Sequence, residues 1–214
     1  MTAQSSEPLV PNPSSVSIDA PVIPVLRKLG AVDRHDVETH LLRLDSTDRH
    51  MRFCHVVSDR SIARHCEHID WSRTIGLGCF IDRHLRGMAE LRLGREITGS
   101  IAELAITVET SFQNKGIGTM LLRKMLTIAR NRFVGRIYMI CLLENRRMQH
   151  IAGKLEANLT FREGEVEARL WPPLPSYLTL VEEASIDSQA LWRAVLDDTH
   201  TTTRHRANGP GHAS

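Results

Sequence analysis

The chain has 214 residues, 42% of them hydrophobic, and a formal net charge of +2 at pH 7. This length suits one domain of ordinary size with extensions, and the small net charge and 5% aromatic content exclude a strong case for nucleic-acid binding. No stretch approaches the roughly 20 consecutive apolar residues of a membrane span, and the first residues lack the basic and apolar blocks of a secretory signal. We therefore expect a cytoplasmic protein that binds neither nucleic acid nor membrane.

Cysteine and histidine spacing gives no support for a metal site. Cys54, Cys66, Cys79 and Cys141 are far apart, contain no Cys-x-x-Cys, and favour reduced core thiols over a disulfide framework. His65 and His68 lie three apart beside Glu67, but without a third ligand in view a solvated helix face is the favoured interpretation. No metal cofactor is predicted.

In the first half of the chain, apolar periodicity predicts strands and helices after a disordered tail over residues 1–20. The predicted elements are a strand at Val22–Leu29, a helix at Val32–Leu44, a helical turn near Ser46–Arg52, a helix capped by Ser58 or Asp59 that runs to about His68, and a hairpin of strands Thr74–Ile81 and Arg86–Leu93. Gly76 and Gly78 lack the third glycine and the following helix of a dinucleotide fingerprint, so close backbone packing explains them better.

The second half predicts a central strand, two amphipathic helices and two further strands. These elements are strand Ile101–Val108, a helix from Lys115 to about Arg130, strand Arg136–Leu143, a helix capped by Asn145, strand Glu165–Trp171 and a short helix at Asp187–Leu196. The strand that follows Arg136 is apolar throughout, which predicts an interior strand covered on both faces. Leu191, Trp192 and Val195 form an apolar patch that docks either on the domain or on a second subunit, as in a homodimer. Residues 200–214 are polar and read as a disordered tail.

The loop from Gln113 to Gly118 separates the central strand from the first of these helices. A glycine-bearing turn of this kind aims several backbone N–H groups at one spot before a helix N-terminus, where the helix dipole is positive. Gly116 and Gly118 lack the Cβ atoms that would hold a bulky anion away from the backbone. The loop therefore predicts a phosphate or pyrophosphate cradle.

The pattern Gln-x-x-Gly-x-Gly, spanning Gln113 to Gly118, resembles the acyl-CoA signature of the GNAT family of N-acetyltransferases. Two more segments match: Ala102-Glu103-Leu104-Ala105, and the run from Glu144-Asn145 through Met148, Ala152, Lys154 and Leu155. Together they are similar to the acetyltransferase domain of bacterial Pat-type protein lysine acetyltransferases, over roughly residues 22–171. The resemblance implies an α/β (α+β) fold with a mixed, mainly antiparallel sheet flanked by helices, in one domain at 22–180 followed by an extension at 181–214.

The resemblance also implies acetyl-CoA as cosubstrate. In the family, two neighbouring strands splay apart and the pantetheine arm enters the gap, so the backbone of Ile106 and Val108 would pair with it like an added strand. The remaining residues implied to bind the cofactor are Gln113, Asn114, Lys115, Gly116, Ile117, Gly118, Thr119 and Asn145. Arg123 and Lys124 could serve the 3′-phosphate of CoA, although a solvated helix face is the default for both.

Glu103 is the predicted general base. Amine acetylation needs an uncharged acceptor nitrogen, and a carboxylate can remove the proton directly or through water. Glu103 coincides with the acid that Pat-type enzymes use, whereas alternation along the strand also allows a Glu that simply faces solvent. Glu109, at the end of the strand, is the second candidate. His55 and Asp59 lie in the early region that forms the acceptor groove of the family, so either could touch the acceptor.

The chain departs from the family at the general acid. Many members carry a Tyr in the last helix that protonates the leaving thiolate, and here that place holds Ala152. His150 is the nearest replacement, while Tyr138 and Tyr177 have no positional support. Because free thiols have a pKa of about 8.5, a thiolate can leave without an acid.

The predicted function is therefore direct acetyl transfer from acetyl-CoA to a primary amine, either a small molecule or a protein lysine. The alternative is a non-catalytic acyl-CoA-binding sensor or interaction module, which the missing Tyr keeps open. An exposed Glu103 remote from the thioester would favour the sensor.

Overall fold

The computed structural model describes residues 24–94 and 101–188. The predicted tails and residues 189–196 of the predicted terminal helix, with the apolar patch at Leu191, Trp192 and Val195, lie outside these ranges.

A seven-stranded sheet with the order β1-β2-β3-β4-β5-β7-β6 forms the centre of the fold. Its strands are β1 (Val25–Leu29), β2 (Thr74–Ile81), β3 (His84–Leu93), β4 (Ile101–Val108), β5 (Arg136–Leu142), β6 (Asn158–Arg162) and β7 (Glu165–Leu170). Neighbouring strands are antiparallel except for β4 and β5, which run parallel. The mixed, mainly antiparallel α/β fold expected from the sequence is confirmed.

Helices flank the sheet in the described ranges: α1 (Arg34–Arg43), α2 (Ser46–Phe53), α3 (Asp59–Glu67), α4 (Ile117–Asn131) and α5 (Arg146–Gly153). Short polar side chains cap three of them, because the first N–H groups of a helix need an acceptor. Asp45 accepts from Asp48 N, Ser58 from Ser61 N, and Asn145 from Met148 N. Residues 177–188 are also helical.

Helices on the two faces of the sheet enclose two apolar cores. On one face, α4 packs against β2, β3 and β4 around fully buried side chains such as Leu121, Met125 and Ile128. On the other face, α1 and α3 pack against β3 around Leu41 and Ile62. Gly76 and Gly78 have the predicted packing role, because a Cβ at either would lie within 3 Å of a neighbouring side-chain atom. Strand β4 belongs to the sheet that separates these two cores, and it carries several of the candidate functional residues described below.

Three parts of the second half differ from the sequence-based expectation. Strand β6 was not predicted, although Leu159 and Phe161 alternate with polar residues along its five positions. The helical segment 177–188 replaces an expected start at Asp187, and Glu183 anchors it to Asn131 of α4 through a 2.7 Å hydrogen bond. Strand β5 was expected to be covered on both faces, but Ile140 is 51% exposed. The helices α1, α2 and α3 cover only part of the sheet, so β5 has one open face.

Candidate active site

A gap opens between β4 and β5 where their pairing ends. The two strands are in register at Ile101↔Arg136, Ala102↔Ile137 and Glu103↔Tyr138, and no further pair follows among the described residues. Strand β4 continues to Val108 with β3 as its partner on the other side. The edge of β4 from residue 104 to residue 108 therefore faces a slot instead of a strand, and the N–H and C=O groups on that edge can bind an extended ligand.

The predicted anion cradle lies directly beyond this strand, at the start of α4. Gly116 caps the helix in the left-handed region at φ +82°, which glycine adopts without steric cost. The first helical hydrogen bond runs from Met120 N to Gly116 O at 2.9 Å, so the N–H groups of residues 117–119 have no intrahelical partner. No atom lies within 4 Å of a Cβ built on Gly116. The cradle is open, and it is positive through the helix dipole.

A cavity of about 340 Å³ extends from this cradle along the end of β4, between α2 and α5. Most of the predicted cofactor-binding residues line it: Ile106, Val108, Gln113, Asn114, Gly116, Ile117, Gly118, Thr119 and Asn145. Asn145 both caps α5 and lines the cavity, so its two predicted roles are compatible. Lys115 is not among the lining residues, and its Nζ lies 5.3 Å from the centre of the Phe112 ring.

Basic side chains of α5 and of its C-cap residue, rather than those of α4, face this first cavity. Arg147, His150 and Lys154 line it at positions i, i+3 and i+7, which places them on one side of the helix. The candidates chosen from the sequence, Arg123 and Lys124, do not line it, and Lys124 instead binds Glu182 at 2.6 Å. Periodicity showed which residues of α4 leave the core, but it could not show which helix borders the cavity.

The signature residue Gln113 ties the cradle loop to α2. Its side-chain amide donates to Asp48 Oδ2 at 2.7 Å and to the carbonyl oxygen of Val108 at 2.9 Å. Thr110 Oγ1 lies 2.8 Å from the same Asp48 oxygen, and Arg147 lies 3.7 Å from the other. Gln113 thus fixes the loop against α2, which sequence spacing alone could not show.

Glu103 lies at the last paired position before the slot, facing a second cavity of about 620 Å³. Its side chain is 56% exposed, and Arg92 is 3.9 Å away. Residues of α3, β3, β4 and β5 line this second cavity, including His65, His68, Tyr138 and Ile140. Neither Glu103 nor Tyr138 lines the first cavity. Of the two acceptor-groove candidates, Asp59 is bound to Arg49 and neither it nor His55 lines either cavity.

Glu109, the second candidate for the base, is the centre of a buried ion-pair cluster. Its carboxylate accepts from Arg43 at 2.7 Å, from Arg86 at 2.8 Å and from His40 Nδ1 at 3.2 Å. Burial opposes ionisation, but these three donors outweigh it and lower the pKa of Glu109 to about 2. Burial lowers the pKa of His40, whose Nε2 accepts from Thr107 Oγ1 at 2.8 Å. A carboxylate this acidic is a poor proton acceptor, so Glu109 has a structural role.

Glu90, on β3, is a second buried carboxylate that the sequence did not single out. One oxygen accepts from Arg52, and the other lies 3.9 Å from His65 Nε2. Burial alone would raise the pKa of Glu90, but the neighbouring positive charge, above all that of Arg52, outweighs that effect and lowers it. The solvated-face interpretation of His65 is wrong, because only 23% of its side chain is exposed.

The candidate general acids occupy different places. Ala152 is buried in the core that faces α4. His150 lines the first cavity and Tyr138 lines the second. Tyr177 lines neither cavity and is 80% exposed to solvent. In residues 24–94 and 101–188, no group of three His, Cys, Asp or Glu side chains could hold a metal ion. Within the same ranges, every helix is too short or too polar to cross a membrane.

Residues 41–156, more than half of the chain, match the sequence profile of the Acetyltransferase (GNAT) family. No curated protein matches the chain by sequence. The fold is similar to the GNAT domain of PAT from S. lividans, at 19% identity and a TM-score of 0.60, covering 68% of this chain and 89% of that one. It is also similar to yncA from Salmonella typhimurium, determined with its cofactor acetyl-CoA, at 14% identity and a TM-score of 0.56, covering 72% and 96%. A third similar structure is the ribosomal-protein-S18-alanine N-acetyltransferase from Escherichia coli, at 14% identity and a TM-score of 0.56, covering 72% of this chain and 97% of that one.

The protein therefore belongs to the GNAT family, a family of acyl-CoA-dependent N-acyltransferases. The family resemblance, predicted from three short motifs, is confirmed, and the fold is similar to that of a Pat-type GNAT domain, as the resemblance implied.

Proposed function

We propose that this protein transfers the acetyl group of acetyl-CoA directly to a primary amine, either of a small molecule or of a protein lysine. One observation carries the proposal: the slot beside β4 begins at the Glu103↔Tyr138 pair and leads to the cradle at Gly116. An extended thioester cofactor fits such an arrangement, with its phosphates at one end and its reactive end near Glu103. Two proteins of similar fold support the same chemistry. The structure of yncA contains its cofactor acetyl-CoA, and the Escherichia coli protein is named as an N-acetyltransferase of an alanine in a ribosomal protein.

Each part of the site has one task in this proposal. When bound, acetyl-CoA supplies the thioester that is cleaved. The N–H groups of residues 117–119 and the cations Arg147 and Lys154 hold the phosphates, and the backbone of Ile106 and Val108 holds the pantetheine arm. Glu103 removes the proton from the acceptor ammonium, so that the neutral nitrogen can attack. The thiolate leaves without a tyrosine, since Ala152 stands at the place where many relatives have one.

A non-catalytic acyl-CoA sensor is the second candidate function. Two observations favour it: Glu103 is 56% exposed, and the buried Ala152 offers no proton. The position of Glu103 at the start of the slot favours the enzyme instead. The two functions differ in turnover, whereas both require the cradle.

The test measures thiol release from acetyl-CoA with polyamines, amino acids, aminoglycosides and lysine-bearing proteins as acceptors. We expect acceptor-dependent release that falls at least about 100-fold in Glu103→Gln, with unchanged acetyl-CoA affinity. Glu67→Gln is the matched control, because Glu67 is an exposed carboxylate that lines neither cavity. If Glu103→Gln releases thiol at the wild-type rate, Glu103 is not the general base, and the proposed acetyl transfer still stands. Tight acetyl-CoA binding without release on any acceptor would support the sensor.

A further inference from the structure

A histidine and a buried carboxylate face each other behind the wall of the second cavity. His65 lies on α3 and Glu90 on β3, and their closest atoms, Nε2 and Oε1, are 3.9 Å apart. Both atoms are fully buried, and neither has a hydrogen-bond partner in the described part of the chain. A buried polar atom without a partner costs free energy, so two that face each other call for an explanation.

The geometry assigns different tasks to the two nitrogens of the His65 ring. Nε2 points toward Glu90, whose other oxygen is already held by Arg52. Because an ionised carboxylate only accepts hydrogen bonds, Nε2 carries the proton and Nδ1 has the free lone pair. Nε2 is enclosed, whereas 23% of the His65 side chain is exposed, and His65 lines the second cavity together with Glu103. The edge of the Phe53 ring, with its centroid 5.4 Å from that of His65, holds the imidazole in place.

The charges around His65 keep it neutral near pH 7. Burial lowers its pKa, the Glu90 carboxylate acts in the opposite direction, and Arg52 and Arg92 lower it further. Arg52 belongs to α2, whereas Glu90 and Arg92 belong to β3. The cavity beside His65 is also lined by Glu103 of β4, Asp70 and Arg73. A neutral imidazole can accept a proton, and one held by a carboxylate behind it is a stronger acceptor.

We propose that His65 is a second proton acceptor of this site, with Glu90 as its positioning residue; this inference rests on the proposed acetyl transfer. The proton leaves the acceptor ammonium for Glu103 and passes through solvent in the cavity to Nδ1 of His65. The imidazolium then donates from Nε2 to Glu90 Oε1, and Nδ1 returns the proton to bulk solvent. A movement of about 1 Å brings this pair to charge-assisted hydrogen-bond distance.

The test is the pH dependence of kcat/KM in the wild type, His65→Gln and the matched control His68→Gln. His68 lines the same cavity from the end of the same helix, but its Nδ1 lies 2.7 Å from the carbonyl oxygen of Arg64. We expect a wild-type limb that falls as the pH drops below 6.5, the unperturbed value for histidine. His65→Gln removes this limb and lowers kcat/KM at least about 10-fold, with acetyl-CoA affinity unchanged. His68→Gln retains both the limb and the rate.

Two further variants separate proton transfer from packing. In His65→Ala, added imidazole restores part of the rate, which a purely structural role for the ring would not allow. Glu90→Gln removes the charge that raises the pKa of His65, so the limb moves to lower pH. Should the unpaired Arg52 prevent Glu90→Gln from folding, Glu90→Asp withdraws the carboxylate by one methylene and moves the limb in the same direction.

The outcomes are distinct. A wild type that turns over, with an unchanged limb in His65→Gln, would overturn this inference and leave the proposed function standing. Loss of rate in His65→Gln with the limb intact and no rescue by imidazole would reduce His65 to a packing residue. Absence of turnover by the wild type on every acceptor would overturn the inference and the proposed function together.

Discussion

The two cavities of this protein are built in different ways. One continuous run of chain, from Ile106 to Thr119, supplies half of the residues that line the first, and the groups proposed to bind the ligand there are mostly backbone N–H. The walls of the second combine α3, β3, β4 and β5, and its polar groups are side chains. The first cavity depends on backbone conformation, whereas the second depends on ion pairs that hold separate elements together. Substitutions should therefore affect them through different physics.

Glu109 is the common anchor of a frame of ion pairs that joins α1 and β3 to the end of β4, and its loss should have the largest effect. Glu109→Gln leaves Arg43, Arg86 and His40 around a neutral group, which we expect to lower the free energy of unfolding by about 3 kcal/mol. Chemical denaturation measures the change. Glu167→Gln is the control, since the pair of Glu167 with Arg169 is more exposed and should contribute little to stability. Equal losses in both variants would mean that Glu109 is not the common anchor.

Acid should weaken the same frame with a predictable sign. The folded pKa of Glu109 is about 2, below the unperturbed 4.5, so its contribution is complete above pH 4.5 and is lost as the pH falls toward 2. The shift corresponds to about 3 kcal/mol at neutral pH. Stability curves between pH 2 and 7 should be steeper for the wild type than for Glu109→Gln. Parallel curves for the two proteins would contradict this assignment.

Breaking the first cavity alone requires a backbone change. Gly116→Ala forces a Cβ into the left-handed region, which costs about 1–2 kcal/mol, and the loop should relax away from its anion-binding shape. We expect weaker acetyl-CoA binding by calorimetry, with the pH profile of turnover unchanged. Gly153→Ala is the control, because its Cβ also meets no atom within 4 Å but its backbone is helical. A neutral Gly116→Ala would show that this conformation does not shape the cradle.

The smallest expected effect concerns the cations of α5. Arg147→Ala should weaken CoA binding by about 1 kcal/mol, and the loss should shrink at high salt because an exposed charge is screened. Arg123→Ala, which removes an exposed arginine outside the first cavity, should leave the affinity unchanged. The reverse ranking would favour phosphate contacts from α4, which the sequence left open beside its default of a solvated helix face.

Sequence patterns located the first cavity well because its determinants are local. The glycine turn, the strand before it and the cap at Asn145 can each be read within a few residues, and the structure has all three. The family relationship was predicted from the same short segments. Gln113 lines this cavity, but its contact with Asp48 joins residues 65 positions apart and leaves no local trace.

The second cavity could not be predicted for the opposite reason. Glu90, Arg52 and His65 lie on three different elements, and only the folded sheet brings them together. Helical spacing placed His65 on a solvated flank because that pattern does not show which strand covers a helix. The open face of β5 was missed likewise, since an apolar run looks the same whether one or two layers cover it.

The short parallel pairing of β4 and β5 has a consequence for self-association. Open strand edges normally attract other strands and promote aggregation, and proteins must protect them. The unpaired edge of β4 is recessed between two parts of one sheet, unlike the outer edges of β1 and β6. A single slender chain can enter the slot, but a neighbouring sheet cannot. The fold thus keeps a row of backbone hydrogen-bonding groups available for a ligand without exposing a surface on which fibrils could grow.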